Sequence, residues 1–419
     1  MSTPQFQAPR GTSDILPSEQ AYWKYFYDNA TKTASKFGYE RIDTPAFEDS
    51  NLFIRGVGEI TDIVEKETYT FEDRGGDLIT LRPEGTAPVC RAYMQNGMQN
   101  LPQPVRLYYF CPVFRYERPQ SGRLREHHQF GLETFGEEDS TIDSEIIEFA
   151  WEFLETLGLK KLSLTVNSIG DSACRPNYIS ELQNHYHSKS DTICTDCNRR
   201  LKENPLRLLD CKQESCQPVI TSAPHSINYL CDECSQHWTK MLENLDLIGL
   251  PYEIDHKLVR GFDYYTRTVF EIAPPTAGRQ NTIVGGGRYD GLMEQLGGRP
   301  TPGIGFGMGI ERVINNLKTQ QISIPGIDYT RVLVTHVGKE AQRLGLLLST
   351  KLRQNKIPAI FAPAERSLKS QLKYASSIKA THAVIIGDSE ISRGTFILRD
   401  LTNSTQKEIN EDDIITLLK

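Results

Sequence analysis

The sequence has no segment approaching the roughly 20 consecutive apolar residues that a membrane-spanning helix needs. The first 17 residues contain no apolar stretch either. They include Pro4, Pro9, Arg10 and Asp14, which is not the pattern of a secretory signal. Internal repeats and low-complexity tracts are also missing. These absences argue against a membrane-spanning or fibrous protein, and we expect a soluble, cytoplasmic one.

The length argues against a disulfide scaffold. The 419 residues can fill two or three hydrophobic cores, whereas disulfide-rich secreted domains are short chains that cannot build one. The nine cysteines are therefore expected to be reduced. Hydrophobic residues make up 38% of the chain and charged residues 24%, close to the averages of globular proteins, so disorder is not expected.

Charge is distributed unevenly along the chain. The net charge of −7 argues against a general nucleic-acid coat. Residues 331–419, however, contain 14 lysines and arginines against 9 acidic residues and carry +5, whereas residues 1–330 carry −12. A basic end on an acidic body indicates one face suited to a polyanion.

Apolar periodicity predicts an α+β fold built on an antiparallel sheet. A helix is expected over residues 18–37, capped by Ser18, and a strand over 41–47, broken by Pro45 as at a sheet edge or subunit contact. Short β-type runs then alternate irregularly with helices, which is typical of α+β proteins and not of doubly wound ones. These runs lie at 78–81, 105–110, 113–116, 129–135, 162–166, 264–272, 282–284 and 304–307.

Two domains are predicted. Residues 1–325 form the antiparallel-sheet domain, with a polar, helical and cysteine-rich insertion at about 171–252. In residues 326–419, short apolar runs at 332–337, 357–361 and 383–386 are separated by helical stretches. This pattern is typical of βαβ units, so a small α/β domain with a parallel sheet is expected.

A first candidate site lies around two predicted strands, 114–117 and 128–133, joined by an arginine-rich loop. Strand alternation places Arg115 and Glu117 on one face of the sheet. Planar guanidinium groups suit phosphate oxygens, because they donate paired hydrogen bonds. A salt-bridged hairpin would explain this segment equally well.

A second candidate site is the glycine-rich block at 303–312, in which glycine alternates with other residues before Arg312. Its bare strand face would let a flat ring lie against the backbone. The block is not a P-loop, because no lysine followed by serine or threonine stands at the required place.

With Pro45, which follows the first long helix, these blocks resemble the three signature motifs of class II aminoacyl-tRNA synthetases in their usual order. The resemblance implies an antiparallel sheet that binds bent ATP with Mg²⁺, and a homodimer interface at the first motif. It implies that Arg115 contacts the α-phosphate, that Arg123 and Arg312 contact the outer phosphates, and that Glu117 also belongs to the ATP site.

Three further blocks resemble the histidine-specific sequences of the histidyl-tRNA synthetase family: LRPEGT at 81–86, RGFDYY at 260–265 and GGGRYDG at 285–291. The likeness extends through 204–207 and the C-terminal domain, so it covers nearly the whole chain. It implies ATP-dependent activation of L-histidine and its transfer to tRNA(His), with release of AMP and diphosphate.

The same resemblance implies a histidine pocket. Its members would orient the substrate and hold its ammonium group (Glu84, Gly85, Thr86 and Gln129), bond the imidazole nitrogens (Glu133 and Tyr265), line the ring (Tyr264 and Tyr289) and contact the reacting carboxylate (Arg115 and Arg260). An imidazole offers one donor and one acceptor, which a carboxylate and a phenol can both satisfy. Such a site rejects analogues that lack those groups, so no editing domain is expected.

Arg260 and Arg115 are the predicted catalytic residues. A fixed guanidinium stabilises the charge that develops on the α-phosphate, and by resemblance Arg260 stands where related enzymes place a metal ion. Without the motif, an ion pair of Arg260 with Asp263 or a neighbouring glutamate would be the simpler explanation. No general base is required because the attacking carboxylate is already ionised, so His127 and His128 are not assigned a catalytic role.

Two Cys-x-x-Cys pairs in the insertion, Cys194 with Cys197 and Cys231 with Cys234, predict a tetrahedral structural zinc site. The 33 residues between the pairs exceed the usual ribbon spacing, and a cluster of reduced thiols is an equal alternative. The resemblance does not extend to this site.

The C-terminal domain resembles the family's anticodon-binding domain. Arg366, Lys369 and Lys373 form a basic stripe on a predicted helix, either for tRNA(His) or as an ordinary solvated face.

The sequence leaves two alternative functions: a non-catalytic, synthetase-like regulatory subunit of ATP phosphoribosyltransferase, and a plain RNA- or zinc-binding module. The regulatory subunit typically lacks the anticodon domain and parts of the histidine blocks, both of which this sequence has. An RNA- or zinc-binding module would not explain the arginine and glycine blocks.

Overall fold

The computed structural model describes residues 6–58, 63–117, 124–275, 282–325, 331–363 and 366–418. The chain forms two compact units, Met1–Ile324 and Pro325–Lys419. Each has its own sheet and its own hydrophobic core. No helix in these ranges is long and apolar enough to cross a membrane.

The described strands of the first unit are β1 (Glu40–Arg41), β2 (Phe47–Asp49), β3 (Tyr69–Glu72), β4 (Leu78–Leu81), β5 (Val105–Phe114), β6 (Glu126–Phe135), β7 (Ser163–Ser168), β8 (Glu253–Ile254), β9 (Thr266–Ala273), β10 (Val284–Arg288) and β11 (Gly303–Gly309). Its α-helices are α1 (Gln20–Lys36), α2 (Ser50–Val57), α3 (Thr86–Gln95), α4 (Ser140–Thr156), α5 (Arg175–His187), α6 (Thr195–Glu203), α7 (Gln217–Thr221), α8 (Asp232–Leu247), α9 (Leu292–Gln295) and α10 (Ile310–Thr319).

The central sheet has the strand order β1-β5-β6-β11-β10-β9-β7-β8. The inner neighbours pair antiparallel, and only the edge pairs β1–β5 and β7–β8 are parallel. The predicted α+β class with an antiparallel sheet is confirmed. In this register Gly305 lies opposite Glu133, and Gly285 lies opposite Glu271, so glycines adjoin two carboxylates at the middle of the sheet.

Helices α1, α4 and α10 cover one face of this sheet, and their apolar side chains form its main core. The rings of Phe26 of α1, Phe153 of α4 and Phe130 of β6 contact one another, with centroids 5.2–5.9 Å apart. The predicted first helix is confirmed as Gln20–Lys36, but Ser18 does not cap it: Glu19 is the N-cap residue and makes no side-chain cap bond.

The predicted strand over 41–47 is wrong. Its two ends belong to different sheets, because β1 joins the central sheet and β2 joins a three-stranded sheet of order β2-β4-β3. Between them, the carbonyl oxygens of Thr44 and Pro45 accept hydrogen bonds of 2.8 and 2.9 Å from the guanidinium of buried Arg82. The chain therefore exchanges ladder bonds for side-chain bonds at the proline.

An ion pair with no solvent exposure ties α4 to the central sheet. Arg288 donates to Asp143 at 2.5 and 3.0 Å and to Asp290 at 3.0 Å. His237 of α8 contacts the other oxygen of Asp143 at 2.8 Å. Although burial opposes ionisation, the charge of Arg288 and the contact with His237 lower the pKa of Asp143 to about 2.

The second unit contains a five-stranded sheet of order β13-β12-β14-β15-β16, formed by β12 (Val332–His336), β13 (Ala359–Phe361), β14 (His382–Ile386), β15 (Phe396–Asp400) and β16 (Thr405–Ile409). Its helices are α11 (Lys339–Gln354), α12 (Leu368–Ser377), α13 (Asp388–Arg393) and α14 (Glu411–Leu418). The three strands predicted from the sequence are parallel, as expected of βαβ units. The antiparallel pair β15 and β16 completes the sheet and was not predicted.

Candidate active site

A cavity of about 700 Å³ lies at the middle strands of the central sheet. Nine of the residues predicted for the ATP and histidine sites line it: Glu84, Thr86, Arg115, Glu117, Gln129, Arg260, Tyr264, Tyr265 and Arg312. Gly85, Glu133 and Tyr289 are not among the lining residues. Arg123 lies outside the described residues. The fold therefore gathers at one place residues that are up to 228 positions apart in the chain.

Arg115 and Arg312 approach the cavity from different elements. Arg115 directly follows β5; its Nε donates to the carbonyl of Pro83 at 2.8 Å, and its guanidinium lies 5.6 Å from the ring centroid of Phe262. Arg312 lies in the first turn of α10 and donates to the carbonyl of Thr282 at 2.8 Å. Both side chains are thus anchored by backbone oxygens at the cavity.

Arg260 is paired with a glutamate, but not with Asp263. Its guanidinium donates to the carboxylate of Glu271, which also accepts from Thr282 Oγ1 at 2.8 Å. Burial disfavours the charge of Arg260, but the Glu271 carboxylate outweighs it and raises the pKa of this guanidinium. The buried Nε of Arg260 has no hydrogen-bond partner among the described residues. A buried donor without a partner is costly, so it is suited to a ligand oxygen.

Glu133 lies beneath the cavity floor with no solvent exposure. Its carboxyl group accepts hydrogen bonds from Thr86 Oγ1 at 2.8 Å, from Tyr109 at 3.1 Å and from Tyr289. Burial raises the pKa of Glu133 to about 8 in spite of these donors. The carboxyl group therefore carries its proton through most of the neutral range.

The glycines of β10 and β11 make room for side chains of this chain. A Cβ on Gly305 would stand 1.9 Å from Glu133 Oε2, one on Gly307 would stand 1.9 Å from Gln129 Nε2, and one on Gly285 would stand 2.0 Å from the Arg260 guanidinium. The glycine pattern of β11 predicts a bare strand face that receives a flat ligand ring. The structure instead covers these three positions with polar side chains of the site.

Glu84 and Gln129 differ in what remains available to a ligand. Glu84 accepts from the backbone N–H groups of Thr86 and Ala87 at 2.6 and 2.7 Å and so stabilises the first turn of α3. Burial raises the pKa of Glu84, against these donors. The buried Oε1 of Gln129, by contrast, has no hydrogen-bond partner within the described ranges, so it is a ready acceptor for an ammonium group.

The two histidines of β6 are not placed as general bases. Burial, and then the charges of Arg115 and Arg312, lower the pKa of His127 to about 3, so its ring is neutral at physiological pH. His128 contacts Glu311 through Nδ1 at 2.8 Å. The neutral ring of His127 is thus a poor base, and the ring of His128 is already engaged by a carboxylate.

The arrangement of three arginines, an unpartnered amide oxygen and a buried carboxyl group agrees with the comparisons. A protein-family model described as "Histidyl-tRNA synthetase" matches residues 11–313, and a second model, described as "Anticodon binding domain", matches residues 331–419. The histidine–tRNA ligase of Dehalococcoides mccartyi (strain 195) is 51% identical over 414 residues, 99% of each chain, and that of Caldanaerobacter subterraneus is 46% identical over 413 residues, also 99% of each. The chain belongs to the histidyl-tRNA synthetase family.

A solved histidyl-tRNA synthetase has the same fold. The S. aureus protein, whose crystal structure is of the apo form, is 34% identical in sequence to this chain, and the two structures superpose with a TM-score of 0.83. The match covers 99% of this chain and 100% of the S. aureus chain. The class II fold and the C-terminal anticodon-binding domain expected from the sequence are confirmed.

Within this member of the histidyl-tRNA synthetase family, the predicted zinc ligand set is wrong. The two Cys-x-x-Cys pairs belong to separate clusters: Cys194 and Cys197 lie with Cys211 and Cys216, whereas Cys231 and Cys234 lie with Asp171 and Cys174. In each cluster the ligand atoms are all within 4.8 Å of one another. Cys211 and Cys216, which lie within the 33 intervening residues, meet the first pair, whereas Asp171 and Cys174, which precede both pairs in the chain, meet the second.

Sequence reasoning missed residues that position Arg260. Glu271 pairs with its guanidinium and itself accepts from Thr282 Oγ1, and Arg207 donates to the carbonyl oxygen of Arg260 at 3.2 Å. Asn204 donates to Asp263 in the same loop at 2.5 Å. Glu271 lies within a predicted strand, where strand alternation would have placed it on the face of a site, but no local motif marks it.

Proposed function

We propose that this chain is a histidine–tRNA ligase that forms histidyl-adenylate and esterifies tRNA(His). The observation that carries the proposal is the convergence of Arg115, Arg260 and Arg312 on one cavity. In the described part of the chain, two buried atoms of residues that line this cavity, Gln129 Oε1 and Arg260 Nε, have no hydrogen-bond partner. An amino acid and a triphosphate supply the matching groups: an ammonium donor, and anionic oxygens.

The reaction has two steps. A carboxylate oxygen of histidine attacks the α-phosphorus of ATP, the bond from that phosphorus to the bridging oxygen breaks, and diphosphate leaves. A terminal ribose hydroxyl of tRNA(His) then attacks the carbonyl carbon of the adenylate; AMP leaves and the hydroxyl proton is released. The first step needs charge stabilisation and orientation, not a base, because the nucleophile is already ionised.

Arg260 and Arg115 are the catalytic residues of this proposal. Arg260 is fixed by Glu271 and directs its unpartnered Nε to a ligand oxygen, while Arg115 binds the α-phosphate. Arg312, together with Arg123 outside the described residues, binds the outer phosphates. Glu117 completes the ATP site, and ATP enters with Mg²⁺, for which carboxylate oxygens are suitable ligands.

The imidazole ring of histidine would lie beside the rings of Tyr264 and Tyr265, whose centroids are 4.7 Å apart, with Tyr289 behind them. Tyr265 and Glu133 would bond its two nitrogens, and Glu133 would reach the ring by exchanging its hydrogen bond from Thr86. A carboxyl group that carries its proton near neutral pH can donate to a ring nitrogen as well as accept. The unpartnered oxygen of Gln129, with Glu84 and the Gly85–Thr86 backbone, would take the ammonium group.

A tRNA contact is proposed for the second unit. Lys369 and Lys373 lie exposed on α12, and exposed Arg366 lies just before it. The helix begins after Arg366, so only the two lysines of the predicted stripe lie on it. These three exposed cations suit phosphates of an RNA loop, and the +5 charge of residues 331–419 favours such a partner.

A homodimer is proposed on the three-stranded sheet. Phe47 of β2 lies opposite Leu81 of β4, and Phe71 of β3 lies opposite Ile79 of β4. Ile79 and Leu81 are two residues apart in one strand and share a face, so both phenylalanines lie on that face of the sheet. They are 53% and 47% exposed. Large apolar side chains grouped on a sheet face are typical of an interface.

The enzyme proposal is tested by histidine-dependent exchange of pyrophosphate into ATP without tRNA. The Arg260→Gln variant should lower kcat by roughly 10²- to 10³-fold, as expected when a transition-state charge loses its stabilising partner. Arg343→Gln, on an 80% exposed side chain of the second unit, is the matched control and should leave exchange unchanged. An absence of exchange in the unmodified protein, or full activity of Arg260→Gln, would contradict the assignment.

A further inference from the structure

Four cysteines of the insertion form a closed cluster of thiols. The Sγ atoms of Cys194, Cys197, Cys211 and Cys216 are all within 4.8 Å of one another, and the Cys194–Cys211 and Cys197–Cys216 pairs are separated by 3.8 Å. A tetrahedral ion with bonds of about 2.3 Å to sulfur has sulfur–sulfur edges of about 3.8 Å. All four are free cysteines. The spacing therefore matches a four-thiolate metal site.

The backbone around the cluster favours thiolates. Cys194 is the N-cap residue of α6 and Cys197 lies in its first turn, where free N–H groups and the helix dipole stabilise negative charge. The backbone N–H of Cys194 points to Cys216 Sγ at 3.2 Å. Cys211 directly follows the short 3₁₀ turn Pro205–Asp210, and Cys216 is the last residue of the 3₁₀ turn Glu214–Cys216. Each pair thus comes from a tight turn, as in zinc knuckles.

We propose that Cys194, Cys197, Cys211 and Cys216 bind one structural Zn²⁺ ion. The cluster made by Asp171, Cys174, Cys231 and Cys234 is a poorer candidate, because the Asp171 carboxylate already has a cation partner. It accepts two hydrogen bonds of 3.3 Å from Arg267 and one of 3.0 Å from the N–H of Ala173. The four-cysteine cluster contains no such cation among the described residues.

The ion would fix a segment that reaches the active site. Residues 198–210 lie between the two cysteine pairs, and within them Asn204 and Arg207 bond Asp263 and the carbonyl oxygen of Arg260. Cys194 and Cys211 themselves line the active-site cavity. Holding both ends of this segment by one ion limits the movement of the loop that carries Arg260.

The test is the zinc content of the full-length protein, purified without chelator and measured by elemental analysis. The Cys197→Ser/Cys211→Ser variant should contain about one equivalent less zinc than the unmodified protein. The matched control, Cys231→Ser/Cys234→Ser, removes two thiols from the other cluster and should retain that equivalent. Equal zinc in the first variant and the unmodified protein, or loss of the ion in the control alone, would overturn the proposal.

A second measurement does not depend on whether a variant folds. Zinc is exchanged for Co²⁺ in the unmodified protein, and the visible and near-ultraviolet absorption is recorded. Tetrahedral cobalt bound by thiolates should give intense visible bands with sulfur-to-metal charge transfer. Octahedral, weakly absorbing cobalt, or less than a tenth of an equivalent of zinc in the starting protein, would refute the site.

Discussion

Glu133 makes the stability of the first unit depend on pH in an unusual direction. In the unfolded chain this carboxyl group has its ordinary pKa of 4.5, whereas burial raises the pKa to about 8 in the folded chain. Between these two values the folded state binds a proton that the unfolded state does not bind. The free energy of unfolding must therefore fall as pH rises through this window.

The magnitude follows from the size of the window. Each pH unit within it costs about 1.4 kcal/mol of stability from this one group. Between pH 5.5 and 7.5 the loss is therefore roughly 2.5 kcal/mol, allowing for partial titration near the upper end. In Glu133→Gln the side chain keeps its shape and is neutral at every pH, so its contribution disappears.

Urea unfolding of the substrate-free protein at pH 5.5, 6.5 and 7.5 measures this effect. Tryptophan fluorescence is a suitable signal, because Trp23, Trp151 and Trp238 all lie in the first unit. The free energy of the unmodified protein minus that of Glu133→Gln isolates the titration of Glu133 from the other groups. A difference that stays constant from pH 5.5 to 7.5 would show that Glu133 is ionised in the folded protein and would refute the reasoning.

Two further outcomes are expected. Asp143→Asn should lower the free energy of unfolding by about 3–5 kcal/mol in urea denaturation, because it leaves Arg288 buried without its counter-ion. The control variant Asp139→Asn alters an exposed ion pair with Lys240 and should lower the free energy of unfolding by less than about 1 kcal/mol. Lys369→Glu with Lys373→Glu should reduce tRNA aminoacylation at least tenfold while pyrophosphate exchange stays constant, and equal loss of both activities would argue against a tRNA contact at α12.

The sequence predicts the parts of this site that have local patterns. Alternating apolar runs indicated the antiparallel sheet, and motif residues such as Arg115 and Arg312 converge on one cavity. Long-range partners have no such pattern. The pairing of Arg260 with Glu271 depends on the loop path before β9, and the buried pair of Asp143 with Arg288 joins residues 145 positions apart.

The cysteines show why spacing alone fails. Two Cys-x-x-Cys pairs invite a four-ligand site, but a knuckle fixes only two ligands, and the fold of the intervening chain chooses the others. Here Cys211 and Cys216 reach the first knuckle, while Cys174 and Asp171 reach the second. Several quartets are compatible with the same spacing, so only the three-dimensional path distinguishes them.

The glycine-rich strand β11 allows a test of what its glycines are for. A methyl group at Gly305 would stand 1.9 Å from Glu133 Oε2 and 2.3 Å from the carbonyl oxygen of Leu132, and the latter cannot move without breaking the ladder between β6 and β11. Gly305→Ala should therefore cost at least about 2 kcal/mol of stability, measured by urea unfolding. Gly291→Ala, where the nearest atom is 4.0 Å away, is the matched control and should be close to neutral. If Gly305→Ala is as stable as this control but no longer binds ATP or histidine, the bare strand serves a ligand directly, and its role in accommodating Glu133 is wrong.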